Sequence, residues 1–416
     1  MDAPIKALLI AVADDAPAAI YAINRLKPDL LCFFVAEPAK ALIETAVQPY
    51  IVQMPRRWDW LITSHADRFM PSYQALARDL PDLLRTWDVG AGDLVIDLTG
   101  ATSAMAAAMA LAGVPYASRV VMIGRSEATT EGEAIHIDGQ ARIWTQGNPW
   151  DEAAAPARRD ACDVFNRGAF GTAASLFRHI ETRVSGGQKP LYRALADLTD
   201  GYALWERFQH RQAWDKLKTS LKALDMASVW GGPAGLKALL PAMKQNAGFL
   251  EKLVLDPHEV KETLAYDLLA HAKRRAETDH HLEAAVMTLL RALEAFAQHR
   301  LFKQYRIKSW DVRPEQLPAA LQESCRTCYL NDIDGKYKLP LLGQFQTLAG
   351  LGDTMGQAYQ AQWIKMKPLL DAAGHAVLAH GFEPVKPERF QQLYDMVLKV
   401  TGVSDTALPR FPVLNL

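Results

Sequence analysis

Two hydrophobic rhythms divide the chain near residue 145. Before it, short unbroken apolar runs alternate with segments whose apolar residues recur every three or four positions. "IKALLIAV" (Ile5 to Val12) and "DLLCFFV" (Asp29 to Val35) suit strands buried on both faces. Between them, "APAAIYAINRLK" puts Ile20, Ile23 and Leu26 on one helical face. After a less regular stretch, "SYQALARDLPDLLRTW" predicts a helix and "DLVIDLT" a strand. "TSAMAAAMALAG" predicts a small-residue helix ending at Gly113, and "SRVVMIG" a further strand. "EAIHIDGQARIW" predicts a hairpin turning at Asp138-Gly139. Alternation of this kind builds a parallel sheet with helices on both faces.

From Thr145 the pattern changes. "TQGNPWDEAAAPARR" has turn formers and no apolar period, and is expected to be a linker. Beyond it nearly everything has helical spacing. Leu282, Ala285, Val286, Leu289, Leu290, Leu293, Phe296 and Ala297 trace one face. "DVFNRGAFGTAASLFRHI", "YALWERFQHRQAWDKLKTSL" and "LLAHAKRRAETDHHLEAAVMTLLRAL" share a helix, a polar turn and a second helix, which hints at stacked helical hairpins. The expected fold is α/β followed by all-α, with domains at 1–147 and 148–416.

Composition narrows the function. Half of the 416 residues are apolar, enough for a large core. The formal net charge is −1, so nothing in the overall charge favours nucleic acid or membrane, and any RNA contact would need a local basic patch. Four cysteines in a chain of this length make no disulfide framework and suit a reducing cytoplasm. "CRTC" is a lone C-x-x-C without a second pair, weak ground for zinc, so no metal site is expected. The first apolar run is short and stops at Asp14 and Asp15, unlike a signal peptide, and no run approaches a membrane span.

Two loops should lie at the carboxyl ends of the strands, where doubly wound sheets bind ligands. One contains Ala13 and Asp14. The other, "DLTGATSAM", offers Thr99, Gly100, Ala101, Thr102 and Ser103 at a helix start. Small side chains, hydroxyls and free N–H groups there suit an anionic phosphate. Equally, Thr102 or Ser103 simply caps the helix. The G-x-G-x-x-G fingerprint of dinucleotide enzymes is absent.

"DLTGATSAM" resembles the D-x-T-G-G-T-K-x-M loop of CARF domains, the Rossmann-like sensors of type III CRISPR systems. "IYAINRLKPDLLCFFVAEPA" is similar to that family's first helix and second strand, and the likeness extends over roughly residues 5–125. "DVFNRGAF", "RRAETDHHLEAAVMTLLRALE" and "LAHGFEPV" resemble the HEPN-type domains that follow CARF in one CRISPR-associated family. The resemblance implies a homodimer whose sensor domains bind cyclic oligoadenylate as the activating ligand. The helical domains would then cleave single-stranded RNA without a metal or other cofactor. Two positions depart from the family: its second glycine is Ala101 and its lysine is Ser103. Loss of a cation beside phosphates removes a charge-assisted contact worth about 1.5–3 kcal/mol, and Asp14 and Asp15 add charges that repel phosphate.

In the resembled family the catalytic motif reads R-N-x-S-x-L-A-H-G. Here the stretch is "AGHAVLAHG": the histidine matches His380, while Ala373 and Gly374 stand at the arginine and asparagine positions. A histidine can move the 2′-hydroxyl proton near neutral pH, and an arginine stabilises the charge growing on phosphorus. No arginine lies within seven residues before His380; Lys365 and Lys367 are the nearest cations upstream. His375 and His380 are therefore the first candidates, set against the alternative that both are helix residues, one partly buried. Arg275 with His280 is the second candidate pair; Arg274 with His280 and Arg275 with His281 fit the same spacing. "RRAETDHHLEAA" equally suits the polar turn of a helical hairpin. "HRLFKQYRIK" (His299 to Lys308) interleaves aromatics with cations, as single-strand RNA grooves do, or as a solvated helix end does. Three functions remain open. One is a ligand-controlled ribonuclease, one a non-catalytic binding module, and one a ring nuclease that positions the ligand ribose with Thr99, Thr102 and Ser103.

Overall fold

In the computed structural model, residues 5–14, 16–90, 92–125, 134–137, 141–145 and 147–416 are described. The chain opens with β1 (Ala7–Val12), α1 (Ala16–Leu26) and β2 (Leu30–Ala36). Short helical turns follow over 37–50, including the single turn α2 (Lys40–Leu42). Then come β3 (Arg57–Thr63), α3 (Phe69–Thr86), β4 (Leu94–Gly100), α4 (Ser103–Gly113) and β5 (Ala117–Arg125). Five parallel strands stand in the order β3-β2-β1-β4-β5, and an antiparallel hairpin, β6 (Ala134–Ile137) with β7 (Ala141–Thr145), extends the sheet beyond β5. The expected turn at Asp138-Gly139 lies outside the described residues.

Every residue of β1 is buried, because both of its faces are covered. Ala7, Leu9 and Ala11 share one core with Leu76 and Leu80 of α3 and Met105 and Met109 of α4. Leu8, Ile10 and Val12 share another with Ala19, Ala22 and Ile23 of α1. This is the parallel-sheet pattern that continuous apolar runs announce. β3 departs from it, and so does β5, where Met122 is exposed. "RWDWLIT" mixes charge with tryptophan because β3 is an edge strand, paired with β2 alone. Strand order reverses between β1 and β4, so their loops open side by side at one end of the sheet.

The expected linker is a helix instead: α5 runs Pro149–Asn166. Proline suits a helix start, where its missing N–H has no duty, and Asp151 and Glu152 complement the positive end of the helix dipole. Helices α6 (Phe170–Arg183), α7 (Lys189–Glu206), α8 (His210–Val229), α9 (Leu236–Leu255), α10 (Glu262–Glu277) and α11 (Leu282–Tyr305) follow. Three of their turns carry one left-handed residue each, Gly168, Phe208 and His280. The chain continues through α12 (Ala319–Cys328), a two-strand ribbon of β8 (Leu330–Asn331) and β9 (Lys336–Tyr337), α13 (Leu341–Gly350), α14 (Thr354–Gly374) and α15 (Pro387–Thr401). Contacts divide the chain into two compact units, Met1–Ala161 with Ala173–Ala196, and Cys162–Thr172 with Asp197–Leu416. The second unit's core is built on α10, α11, α13, α14 and α15. Among the described residues no helix is long and apolar enough to cross a membrane.

Candidate ligand crevice and candidate active site

The crevice is made by β1 and β4. The Ala13 N–H donates to the Gly100 carbonyl at 2.9 Å, so both sequence-predicted loops meet at the carboxyl end of the sheet. Gly100 is required there, since a Cβ would lie 2.6 Å from the Ala11 carbonyl oxygen. Thr99 turns inward: its hydroxyl donates to the buried Asp97 carboxylate and accepts from the Ile123 N–H at 2.8 Å. That hydroxyl holds β4 to β5. Thr102 accepts from the Met105 N–H at 3.1 Å, which makes it the cap of α4, and donates to the carbonyl of Ala66. Ala101 is fixed by an N–H bond to the Leu98 carbonyl, while Asp14 and Ser103 are exposed. The loop of Ala66, between β3 and α3, is thus a third wall of the crevice. No sequence signal marked it, because β3 itself escaped the apolar pattern.

The helical region places His375 and His380 where helix gives out. α14 ends at Gly374 and His375 caps it, with Nδ1 2.7 Å from the Asp371 carbonyl oxygen. The chain then doubles back: the His380 N–H donates to Gly374, the Gly381 N–H to Ala376 and the Glu383 N–H to His375. Both histidines are exposed on this turn. The alternative of two helix residues, one partly buried, is therefore corrected. A helix continuing past Gly374 could not make these return bonds. Gly381 makes the turn possible, because a Cβ there would sit 2.0 Å from the His375 carbonyl oxygen. Glu283, in the first turn of α11, accepts from the N–H groups of Val385 at 2.7 Å and Leu378 at 3.5 Å. His380 edges an apolar recess with Met287, Leu290, Tyr359, Trp363 and Leu378. Lys367, one of the two upstream cations, is paired with Asp371 at 2.8 Å.

Arg275 and His280 fall at the turn between α10 and α11. Arg275 is bound to Asp279 at 2.6 Å, and His280 is exposed in the left-handed conformation. Arg274 binds Glu206 at 2.7 Å, a carboxylate that Arg275 also approaches at 4.0 Å, and lies over the Phe411 ring at 4.0 Å. The two arginines are thus tied into ion pairs of the helical hairpins. In the basic stretch His299 to Lys308, Arg300 binds Asp353 at 2.7 Å and Lys308 binds Glu259 at 3.1 Å. Cys325 is buried and Cys328 exposed on α12, and among the described residues no group of three metal-ligating side chains gathers.

Comparison with known proteins places these sites in context. Residues 258–404 match the family model of the Csm6 HEPN domain, and residues 154–250 match that of the Csm6 6H domain. His375, His380, Arg275 and His280 all lie within the first match. A curated relative, the CRISPR system endoribonuclease Csm6 of Thermus thermophilus, is 28% identical over 318 residues. That match covers 71% of this chain and 65% of the relative, so the chain spans less than two thirds of that protein's length. Among solved structures, Enterococcus italicus Csm6 bound to cyclic hexa-2′-fluoro-hexa-dAMP superposes with a TM-score of 0.59 at 12% identity. It covers 97% of this chain and 96% of its own, a likeness of fold.

Proposed function

We propose that this chain, a CRISPR-associated protein of the CARF–HEPN type, is an endoribonuclease whose helical domain (148–416) is switched by cyclic oligoadenylate bound to its sensor domain (1–147). The observation that carries the reading is His380, exposed on a rigid glycine turn inside the segment that matches the HEPN domain. RNA carries its own nucleophile. His380 takes the 2′-hydroxyl proton as that oxygen attacks the adjacent phosphorus, the phosphodiester bond breaks, and the 5′-oxygen leaves with a proton. An imidazole suits both steps because its ordinary pKa is near neutrality. No metal enters the scheme. The cation that should stabilise the phosphorane is missing at Ala373, which lowers the rate by about 100- to 1000-fold relative to a site that has one.

The working form is a cytoplasmic homodimer. Val377, Leu378 and Phe382, beside His380 in the chain, are exposed apolar side chains, with Phe382 96% accessible. A second copy of the turn covers them and brings two histidines to one RNA strand.

A second reading is favoured by Ala373 and by the pairing of Lys367 with Asp371: a binding module that sequesters cyclic oligoadenylate without cleaving RNA. A ring nuclease is disfavoured, because the Thr99 and Thr102 hydroxyls are already engaged. One experiment separates the three. Fluorescent single-stranded RNA is incubated with the protein, without metal, with and without cyclic tri-, tetra- or hexa-adenylate. Ligand-dependent cleavage that disappears in His380→Ala and survives in Arg275→Ala is expected. Ligand binding with no cleavage selects the binding module, and breakdown of the labelled ring selects the ring nuclease. Cleavage lost in Arg275→Ala but kept in His380→Ala moves the active site to the α10–α11 turn.

A further inference from the structure

A cyclic oligoadenylate is a ring of anionic phosphates and flat bases, and the two loops at the β1–β4 crevice offer it little. Between Ala13 and Ser103 their exposed side chains include Asp14 and Ser103, and neither loop contains a lysine or arginine. The third wall does. The Thr102 hydroxyl holds the carbonyl of Ala66, fixing the β3–α3 loop against the crevice. Two residues further on stands Arg68, exposed and making no ion pair among the described residues. Two residues span at most about 7 Å, so the guanidinium is within side-chain reach of the crevice lip. Phe69 follows at the first position of α3. It continues the inward stripe of that helix, at i, i+3, i+7 and i+11 with Ser72, Leu76 and Leu80, all three of them buried. Phe69 is nevertheless 38% accessible, and it stacks on Tyr73 at 5.7 Å with 13° between the rings. An aromatic stack of this kind, with Phe69 open to solvent at the ligand end of the sheet, is a platform for a base.

We infer that the β3–α3 loop is a binding element for the cyclic ligand, in which Arg68 contacts a phosphate and the Phe69–Tyr73 stack receives an adenine. The inference rests on the sensor reading above. Arg68 thereby supplies the cation that Ser103 does not. His65 and Asp67 flank it, also exposed. The carboxylate of Asp67 and that of Asp14 both oppose phosphate, which sharpens the dependence on Arg68.

Calorimetry on the full-length protein with cyclic tetra- and hexa-adenylate tests this. Arg68→Ala is expected to weaken binding about 10-fold or more and to flatten its salt dependence. Phe69→Ala is expected to weaken it by a similar factor. Both should melt near the wild-type temperature, since Arg68 is exposed and Phe69 only partly packed. Adding Ser103→Lys to Arg68→Ala should restore much of the loss, a rescue that a merely structural role for Arg68 would not produce. Wild-type affinity in Arg68→Ala and Phe69→Ala overturns the inference and leaves the sensor reading standing. Absence of heat with the wild-type protein overturns both.

Discussion

A Cβ on Gly381 would lie 2.0 Å from the carbonyl oxygen of His375 and 2.4 Å from its Cα. Both neighbours are backbone, so the turn rather than a side chain must yield. Gly381→Ala is expected to cost about 1–3 kcal/mol in thermal unfolding. RNA cleavage should fall further than stability does, because a shift of about 1 Å at a reacting group can cost 100-fold in rate. Glu206 is a second residue with a definite signature. Its carboxylate is nearly buried between Arg274 and His271, at 2.7 and 3.2 Å. Burial pushes its pKa up, but the hydrogen bond from His271 and the charge of Arg274 outweigh it and hold the group at about 2. A carboxyl depressed by folding stabilises fully above its ordinary value of 4.5, and that stability drains away as pH falls toward 2. Acid titration of the wild-type protein should therefore lose stability through that window. Glu206→Gln should flatten the loss, at a cost of about 3–5 kcal/mol near neutral pH from the unpaired guanidinium.

The elements of the sheet were legible wherever burial wrote an unbroken apolar run, as in β1 and β2, or a helical period, as in α1. β3 was not, because "RWDWLIT" breaks its apolar run with Arg57 and Asp59 near its start, and only Leu61 and Thr63 further along are buried. Missing β3 also hid the loop after it, and with it Arg68 and Phe69. α5 was misread as a linker because Gly147 and Pro149 suggest a turn, although proline at the start of a helix is no obstacle. Of the active-site candidates, His380 was legible as a residue but its setting was not. The turn depends on Glu283, about a hundred residues earlier, and no local pattern encodes that approach. Thr102 is where a local expectation has a clean test. Thr102→Ala removes the cap of α4 and the tie to Ala66, and chemical denaturation should report a loss of about 1 kcal/mol, while Thr102→Ser keeps both bonds.

For the molecule as a whole, the proposed dimer makes the apolar face near His380 the decisive surface. Phe382→Glu removes an exposed ring and adds charge without disturbing the core, so folding should persist. Light scattering should report a shift toward monomer, and ligand-dependent RNA cleavage should fall with it. The clamp of Glu283 gives this arrangement a mechanical property. One carboxylate on α11 grips the strand of chain on both sides of the histidine, at Leu378 before it and at Val385 after it. The turn that carries His380 is hung from a neighbouring helix like a bucket from a yoke. Under the proposed function, an axial slide of α11 would drag both rims together and carry the His380 imidazole with them.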